Sequence, residues 1–372
     1  MVDFTPMHVI RRHTTFHNQP FRPLPRPTGK PPFHLSLDDV LSSAEMQTIR
    51  SAGRIVFHII GDTGGVKSPF AQQIVASHLE TQYRLSEASS APAFLYLLGD
   101  VVYYYGEASE YYAQFYEPYA LYPPQIFGVP GNHDGDVLDA SVPSLSAFVD
   151  NFCATSRHPT PLSGEVARET MNQPNVYWTL ETPFATIVGL YTNVPEGGSL
   201  DSDQIAWLHS ELADAPRDRA LLLGFHHPVY SADRHHGGSE YMEEMLDLAF
   251  QKTGRIPDAI LAGHVHNYQR YTRLMGSTRV PYLVVGAGGY WHLHAMQTNM
   301  GAVLQPPMEV PGVTGLTLER YCDDRHGFMR VEVDSHELRA RYFTVPRPHE
   351  SWKAPAVLFD QFAVPLGSVT VG

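Results

Sequence analysis

The run Phe94-Leu95-Tyr96-Leu97-Leu98-Gly99-Asp100-Val101-Val102-Tyr103 decides how the chain is read. An unbroken apolar run of this length suits a strand buried on both faces, as in the parallel sheet of an α/β domain. It stops at a glycine followed by a carboxylate, and open α/β sheets bind ligands just outside such strand ends. The same pattern recurs along the chain. Residues 54–60 lead to Gly61-Asp62-Thr63-Gly64, residues 125–129 to Gly131-Asn132-His133-Asp134, residues 220–225 to His226-His227-Pro228, and residues 259–262 to Gly263-His264-Val265-His266. The pair His235-His236 and a strand from Tyr282 toward Gly289 close the set. Carboxylate, amide, phenol and imidazole donors thus gather at one sheet edge. A core does not need them there, so the pattern implies a dinuclear metal centre.

Composition bounds the rest. A chain of 372 residues holds one large α/β domain or two ordinary ones. Its 43% hydrophobic and 17% charged content is that of a globular enzyme. No apolar run approaches the roughly 20 residues of a membrane-spanning helix. A formal net charge of −13 argues against broad nucleic-acid binding, so neither a nucleic acid nor a membrane is expected as partner. The two cysteines, Cys153 and Cys322, allow at most one bridge, with two free thiols the simpler reading. They cannot form an iron–sulfur cluster or a structural zinc site. Any metal must be held by His, Asp, Asn and Tyr.

The chain divides into a Pro-rich basic arm (residues 1–44), a catalytic domain (45–345) and a C-terminal tail packed on it (346–372). The arm carries Arg11-Arg12-His13 and Phe21-Arg22-Pro23-Leu24-Pro25-Arg26-Pro27. Its prolines oppose a helix or a central strand, so it should wrap the domain or hang free. It lacks the apolar run of a secretory leader, which leaves localisation open: cytoplasmic unless a leader has been removed. Ser36-Leu37-Asp38-Asp39 reads as a helix start. Helices are expected over residues 70–86, 144–152, 203–212 and 239–251. An antiparallel strand pair is expected at 176–180 and 186–191, with late strands at 282–285, 327–333 and 338–343. Residues 290–325, rich in Gly, Pro and Met, read as a long surface excursion. The alternation predicts an α/β fold, a four-layer αββα sandwich of two mixed β-sheets flanked by helices.

A hard di- or trivalent ion favours oxygen and imidazole donors. Glycine beside Asp62 and Asp100 lets the backbone turn sharply and bring each carboxylate close to an ion. One carboxylate between two ions holds them about 3.5–4 Å apart, and Asp100 is the candidate bridge. Asn132 offers an amide oxygen; His226, His264 and His266 offer imidazole nitrogens. His264 and His266 sit two apart, so on extended backbone they share a face. Singly, each has a plainer reading. A Gly-Asp is more often a turn, a His-x-His is more often surface or core, and Asn-His-Asp is more often a cap. Their order, each after a strand, favours the metal. His58 is read as buried structure. His227 is expected to point away from the site, and His292 and His294 to reach no further than its rim. Tyr111, Tyr112, Phe115 and Tyr116 are read as core packing.

Over residues 50–345, this ordered set resembles the calcineurin-like metallophosphoesterase superfamily. Most members carry Asp-x-His at the first site; here Gly64 stands where that histidine would be, and Tyr103 follows Asp100 by three residues. The Gly-Asp-x-x-Tyr pattern looks like the purple acid phosphatase branch. So do His226-x-Pro228, the stretch Gly263-His264-Val265-His266-Asn267-Tyr268-Gln269-Arg270, and His235-His236. The resemblance implies the metallophosphoesterase fold. It implies one ion held by Asp62, Asp100, Tyr103 and His266, and a second by Asp100, Asn132, His226 and His264. A phenol ionises near pH 10, so binding as phenolate calls for Fe(III) at the Tyr103 site, with Fe(II), Zn or Mn at the other. A metal-bound hydroxide would attack a small phosphomonoester, with His236 as general acid and His133 and His235 steadying the phosphoryl oxygens. Inorganic phosphate would be product and inhibitor. The alternative is a phosphodiesterase on the same centre, acting on cyclic nucleotides or phospholipid-derived diesters. A silent scaffold predicts a lost ligand, and every expected ligand is present. Members are commonly secreted, and the plant type carries a β-sandwich for which there is no room before Asp62. The oligomeric state is left open.

Overall fold

The computed structural model describes residues 12–13, 20–139, 141–299, 301–351 and 353–367. Two large mixed sheets dominate them. A six-stranded sheet runs, in spatial order, Val357–Pro365, Glu337–Thr344, Gly327–Asp334, Arg54–Ile60, Phe94–Leu98 and Gln125–Val129. A nine-stranded sheet runs Met308–Glu309, Leu316–Cys322, Tyr268–Met275, Thr278–Val285, Ala259–Ala262, Ala220–Phe225, Ala185–Gly189, Trp178–Glu181 and His34–Ser36. The strands read from their apolar runs pair in parallel: Arg54–Ile60 with Phe94–Leu98 and Phe94–Leu98 with Gln125–Val129 in one sheet, Ala220–Phe225 with Ala259–Ala262 in the other. Parallel pairing brings their C-terminal ends to a common edge.

Alternation along these strands explains the layers. Leu222 and Leu261 join a core shared by both sheets, while Leu221, Leu223 and Ile260 join a second core beneath helices Ser202–Asp214 and Glu240–Thr253. Successive side chains of a strand point to opposite faces, so a strand covered on both faces has no polar positions to show. Between the sheets, the fully buried Trp178 lies against Tyr96 and Phe127 of the opposite sheet, at ring-centroid distances of 6.3 and 5.7 Å. Its indole Nε1 donates to the Gly128 carbonyl at 3.1 Å. Helix Phe70–Leu85 adds Val75 and Leu79 to the same core from outside the six-stranded sheet. Burying a side chain of this size stabilises by about 1.5–3 kcal/mol.

Several elements differ from the sequence reading. Ser36 caps only a short 3₁₀ turn, Leu37–Asp39; the α-helix begins at Ser43, where Ser42 and Glu45 form a reciprocal capping box. Residues 290–325 are not simply a surface excursion. Leu316–Cys322 is a strand inside the nine-stranded sheet, and His294, Met296, Leu304 and Val310 are buried. Tyr268–Met275, unforeseen as a strand, pairs antiparallel with Thr278–Val285. Val357–Pro365 forms an edge strand. Cys153 and Cys322 are free and buried. Residues 1–11 and 14–19 of the basic arm, Arg11 included, lie outside the described residues; from residue 20 the chain lies on the domain, with the Gly29 N–H donating to the Pro174 carbonyl at 2.8 Å. Among the described residues no helix is long and apolar enough to cross a membrane.

Candidate metal centre

The two sheets touch where their parallel strands end. A side chain at Gly263 would press on Asp62 and on the Leu98 carbonyl, both 2.8 Å from its Cβ. One at Gly131 would collide with the Asp100 carboxylate. These glycines are conditions for close approach of backbone to donor groups. Asp62, Asp100 and His264 hold left-handed backbone, with φ of 57°, 52° and 68°. Non-glycine residues rarely adopt it, and such strain collects at functional sites.

Two groups of donors meet there. In the first, the Tyr103 hydroxyl lies 3.3 Å from Asp62 Oδ1 and 3.3 Å from His266 Nε2, and Asp62 Oδ1 is 3.6 Å from His266 Nε2. In the second, Asn132 Oδ1 lies 3.0 Å from His226 Nε2 and 3.1 Å from His264 Nδ1. Asp100 belongs to both: its Oδ2 is 3.3 Å from His226 Nε2, and its charge bears on the Tyr103 phenol. All these residues are buried. The seven ligands expected from sequence therefore assemble as two clusters joined at Asp100.

The surrounding bonds fix their aim. The Asp134 carboxylate accepts from the backbone N–H groups of Val101, Val102 and Gly131, tying the Asp100 loop to the Asn132 loop. Gln114 grips the Tyr103 backbone twice, accepting from its N–H and donating to its carbonyl, each at 2.9 Å. That selects Tyr103 over its neighbours: Tyr104 hydrogen-bonds Tyr290, and Tyr105 is exposed. His226 Nδ1 donates to the Leu98 carbonyl at 2.8 Å, which leaves Nε2 for the centre.

The donor set fits metal ions on its own electrostatics. Asp62 Oδ2 is a buried carboxylate oxygen with no hydrogen-bond partner among the described residues, which is costly unless a cation meets it. Burial holds the Asp62 carboxyl well above its usual range. Burial likewise pushes the Tyr103 phenol well above its ordinary range, with Asp100 and Asp62 adding to the push. For His226, burial opposes the charged form, but Asp100 and Asp62 outweigh it and raise the imidazole to about 9. Protons thus sit where cations would bind.

The three candidate catalytic histidines are placed differently. His236 lies nearest the second cluster, its ring 4.3 Å from that of His264. The His133 ring lies 4.6 Å from Tyr103, and its Nδ1 donates to the Tyr104 carbonyl at 2.9 Å. His235 is exposed, its ring against His294 at 4.6 Å. Asp233 Oδ1 accepts from the backbone N–H of both His235 and His236 at 2.7 Å and sets their turn.

Two residues assigned elsewhere by sequence come close to the ligands. His294 is buried with its ring 4.3 Å from His266 rather than at the rim, whereas His292 is exposed. His227 is not turned away: its ring lies 4.4 Å from His264, although its Nδ1 pairs with Thr192 Oγ1. His58 is buried structure, between Tyr122 and Gln82. Tyr111, Phe115 and Tyr116 are core, while Tyr112 is exposed. Sequence reasoning missed Glu196, whose carboxylate reaches His236 and His264; the three could together hold an ion. It also missed Tyr290, whose ring lies 4.1 Å from His266.

Residues 55–268, over half of the chain, match the family model for calcineurin-like phosphoesterases. Purple acid phosphatase 18 of Arabidopsis thaliana is 29% identical over 43% of this chain and 35% of its own length. Tartrate-resistant acid phosphatase type 5 of Oryctolagus cuniculus is 27% identical over 63% of this chain and 73% of its own. The solved purple acid phosphatase PPD1 from yellow lupin seeds superposes with a TM-score of 0.57 at 16% identity, covering 84% of this chain and 54% of that one; at that identity the likeness is one of fold. The chain spans about a third of the length of the first plant relatives it matches. It belongs to the calcineurin-like phosphoesterase family, with purple acid phosphatases among its relatives.

Proposed function

We propose that this family member is a metal-dependent hydrolase of small phosphoric monoesters, of the purple acid phosphatase type. The observation that carries the reading is the pair of donor clusters sharing Asp100. Asp62, Tyr103 and His266 with Asp100 would hold one ion, Fe(III) by the chemistry of a phenolate ligand. Asn132, His226 and His264 with Asp100 would hold the other, Fe(II), Zn or Mn. Bound there, the pair supplies an activated water and a Lewis-acid clamp for a phosphoryl oxygen.

The chain's own residues do the rest. His236, beside the second cluster, gives a proton to the departing alkoxide. His133, held by the Tyr104 carbonyl, and His235 at the rim steady the phosphoryl oxygens. Inorganic phosphate, sharing the substrate's charge and shape, competes with it.

The test pairs an aryl phosphate monoester with the corresponding diester. Measured before and after chelation and re-addition of iron and zinc, monoester hydrolysis should exceed diester hydrolysis, vanish on chelation and return with metal. Metal-independent turnover, or a preference for the diester, would overturn the assignment.

A further inference from the structure

Beyond the ligand motifs, the stretch Thr192-Asn193-Val194-Pro195-Glu196-Gly197-Gly198 carries one carboxylate into the centre. Glu196 Oε1 lies 3.0 Å from His236 Nδ1 and 3.2 Å from His264 Nε2. A carboxylate oxygen only accepts, so both imidazoles donate to it. His264 then carries its proton on Nε2 and keeps a lone pair on Nδ1, the atom that lies 3.1 Å from Asn132 Oδ1 in the second cluster. His236 carries a proton on Nδ1, which leaves Nε2 to face a substrate. One carboxylate thereby sets the ring orientation of a metal ligand and of the proposed proton donor.

The loop is built to hold it. Pro195 to Gly198 form a tight turn closed by the Gly198 N–H on the Pro195 carbonyl at 2.8 Å. Gly197 takes the left-handed backbone, with φ of 80°, that the third position of a type II turn demands. Upstream, Asn193 also holds left-handed backbone, and its side-chain amide clasps the arm. Its Oδ1 accepts from the Arg22 N–H at 2.8 Å, and its Nδ2 donates to the Arg22 carbonyl at 2.9 Å. The Arg22 guanidinium donates to Asp136 Oδ1 at 2.9 Å, just past the Asn132 turn. The arm therefore fastens the Glu196 loop to the loop that supplies a ligand of the second cluster.

We propose that Glu196 is a positioning residue that couples the second metal site to the proton donor: by accepting from His264 Nε2 it turns Nδ1 to the metal, and by accepting from His236 Nδ1 it turns Nε2 to the leaving group. The inference rests on the phosphatase reading for the role of His236 and on the donor clusters alone for His264. Carboxylates that orient a ligating histidine in this way are worth about 10–100-fold in metal affinity.

The experiment compares wild type with Glu196→Ala and Glu196→Gln. Metal-free protein is titrated with Zn²⁺ alone, followed by calorimetry and by metal content after dialysis. Glu196→Ala should weaken one of two binding events by about 10–100-fold and leave the other unchanged. Glu196→Gln, which keeps one accepting oxygen, should recover part of the loss. With metal restored, Glu196→Ala should lower kcat more than KM, and the loss should grow as the leaving alcohol becomes less acidic, because only a poor leaving group needs the proton. Arg22→Ala should move the same readouts in the same direction by less. Wild-type metal affinity together with a leaving-group-independent kcat in Glu196→Ala would overturn the proposal. Should Glu196→Ala fail to fold, Glu196→Gln and Arg22→Ala carry the test, and wild-type behaviour in both would overturn it. The Zn²⁺ titration needs no turnover, so a wild type that hydrolyses no phosphoester would defeat the phosphatase reading and leave the metal-orienting half of this one standing on its own measurement.

Discussion

The six-stranded sheet brings oxygen to the centre and the nine-stranded sheet brings nitrogen. Asp62, Asp100, Tyr103 and Asn132 follow strands of the first; His226, His264 and His266 follow strands of the second. The two halves are also secured differently. The oxygen donors are held by their own loops, through Asp134 and Gln114 on neighbouring N–H and carbonyl groups. The imidazoles are aimed from elsewhere: His226 by the Leu98 carbonyl of the opposite sheet, His264 by Glu196. Neither sheet makes a complete site, so the centre exists only when the two are packed together, and Asp100 is where the halves join.

That asymmetry can be broken at its joint. Asp100→Asn removes the one charge that serves both clusters, and phosphatase activity should fall by on the order of 10³-fold, the scale of losing a principal charge-stabilising group. A fall under about tenfold would mean that the clusters work independently of it. The halves can next be separated. Asp62→Asn should lose the first ion and keep the second, while His226→Ala should do the reverse, read as metal content per chain. Loss of both ions in each variant would show one cooperative site in place of two.

A finer contrast sets His226 against His58, both fully buried imidazoles. His58 lies in strand Arg54–Ile60 of the oxygen sheet, with Nδ1 3.0 Å from the Tyr122 hydroxyl and Nε2 3.2 Å from Gln82 Oε1. Burial, then the nearby Arg330 charge, lowers it to about 3. Unfolded, a histidine titrates near 6.5. Between about pH 6.5 and 3 the unfolded chain therefore binds a proton that the native one refuses. The stability His58 contributes is present above that window and lost as pH falls through it, by about 1.4 kcal/mol per pH unit. In metal-free protein, His58→Gln should flatten the unfolding free energy against pH across this window. An unchanged slope would mean that His58 takes up its proton without unfolding.

What the sequence made legible follows the same division. Arg54–Ile60, Phe94–Leu98, Gln125–Val129, Ala220–Phe225 and Ala259–Ala262 were read to the residue because both faces are covered and each run ends at a loop rich in glycine or histidine. Tyr268–Met275 was hidden because Arg270 and Arg273 interrupt its apolar pattern. They are charges the fold satisfies far along the chain or on a neighbouring helix, at Asp360 and Asp247. Val357–Pro365 is largely apolar but follows a stretch broken by Pro346, Pro348 and Pro355, and its strand character comes from edge pairing with Glu337–Thr344. Asp62, Asp100 and Asn132 follow glycines near strand ends and are legible together, through their order along the chain. Glu196 sits in a Pro-Glu-Gly-Gly turn that reads as surface loop. Its meaning lies in two histidines 40 and 68 residues away, which only the packed sheets bring to it.

Across the two sheets the protein is read to assemble a two-ion centre. Its most direct test is metal stoichiometry, measured on metal-free protein reconstituted with iron and zinc, beside Asp100→Asn. Two ions per chain are expected in wild type and at most one in the variant. One ion or none in wild type, or two ions retained without Asp100, would contradict it.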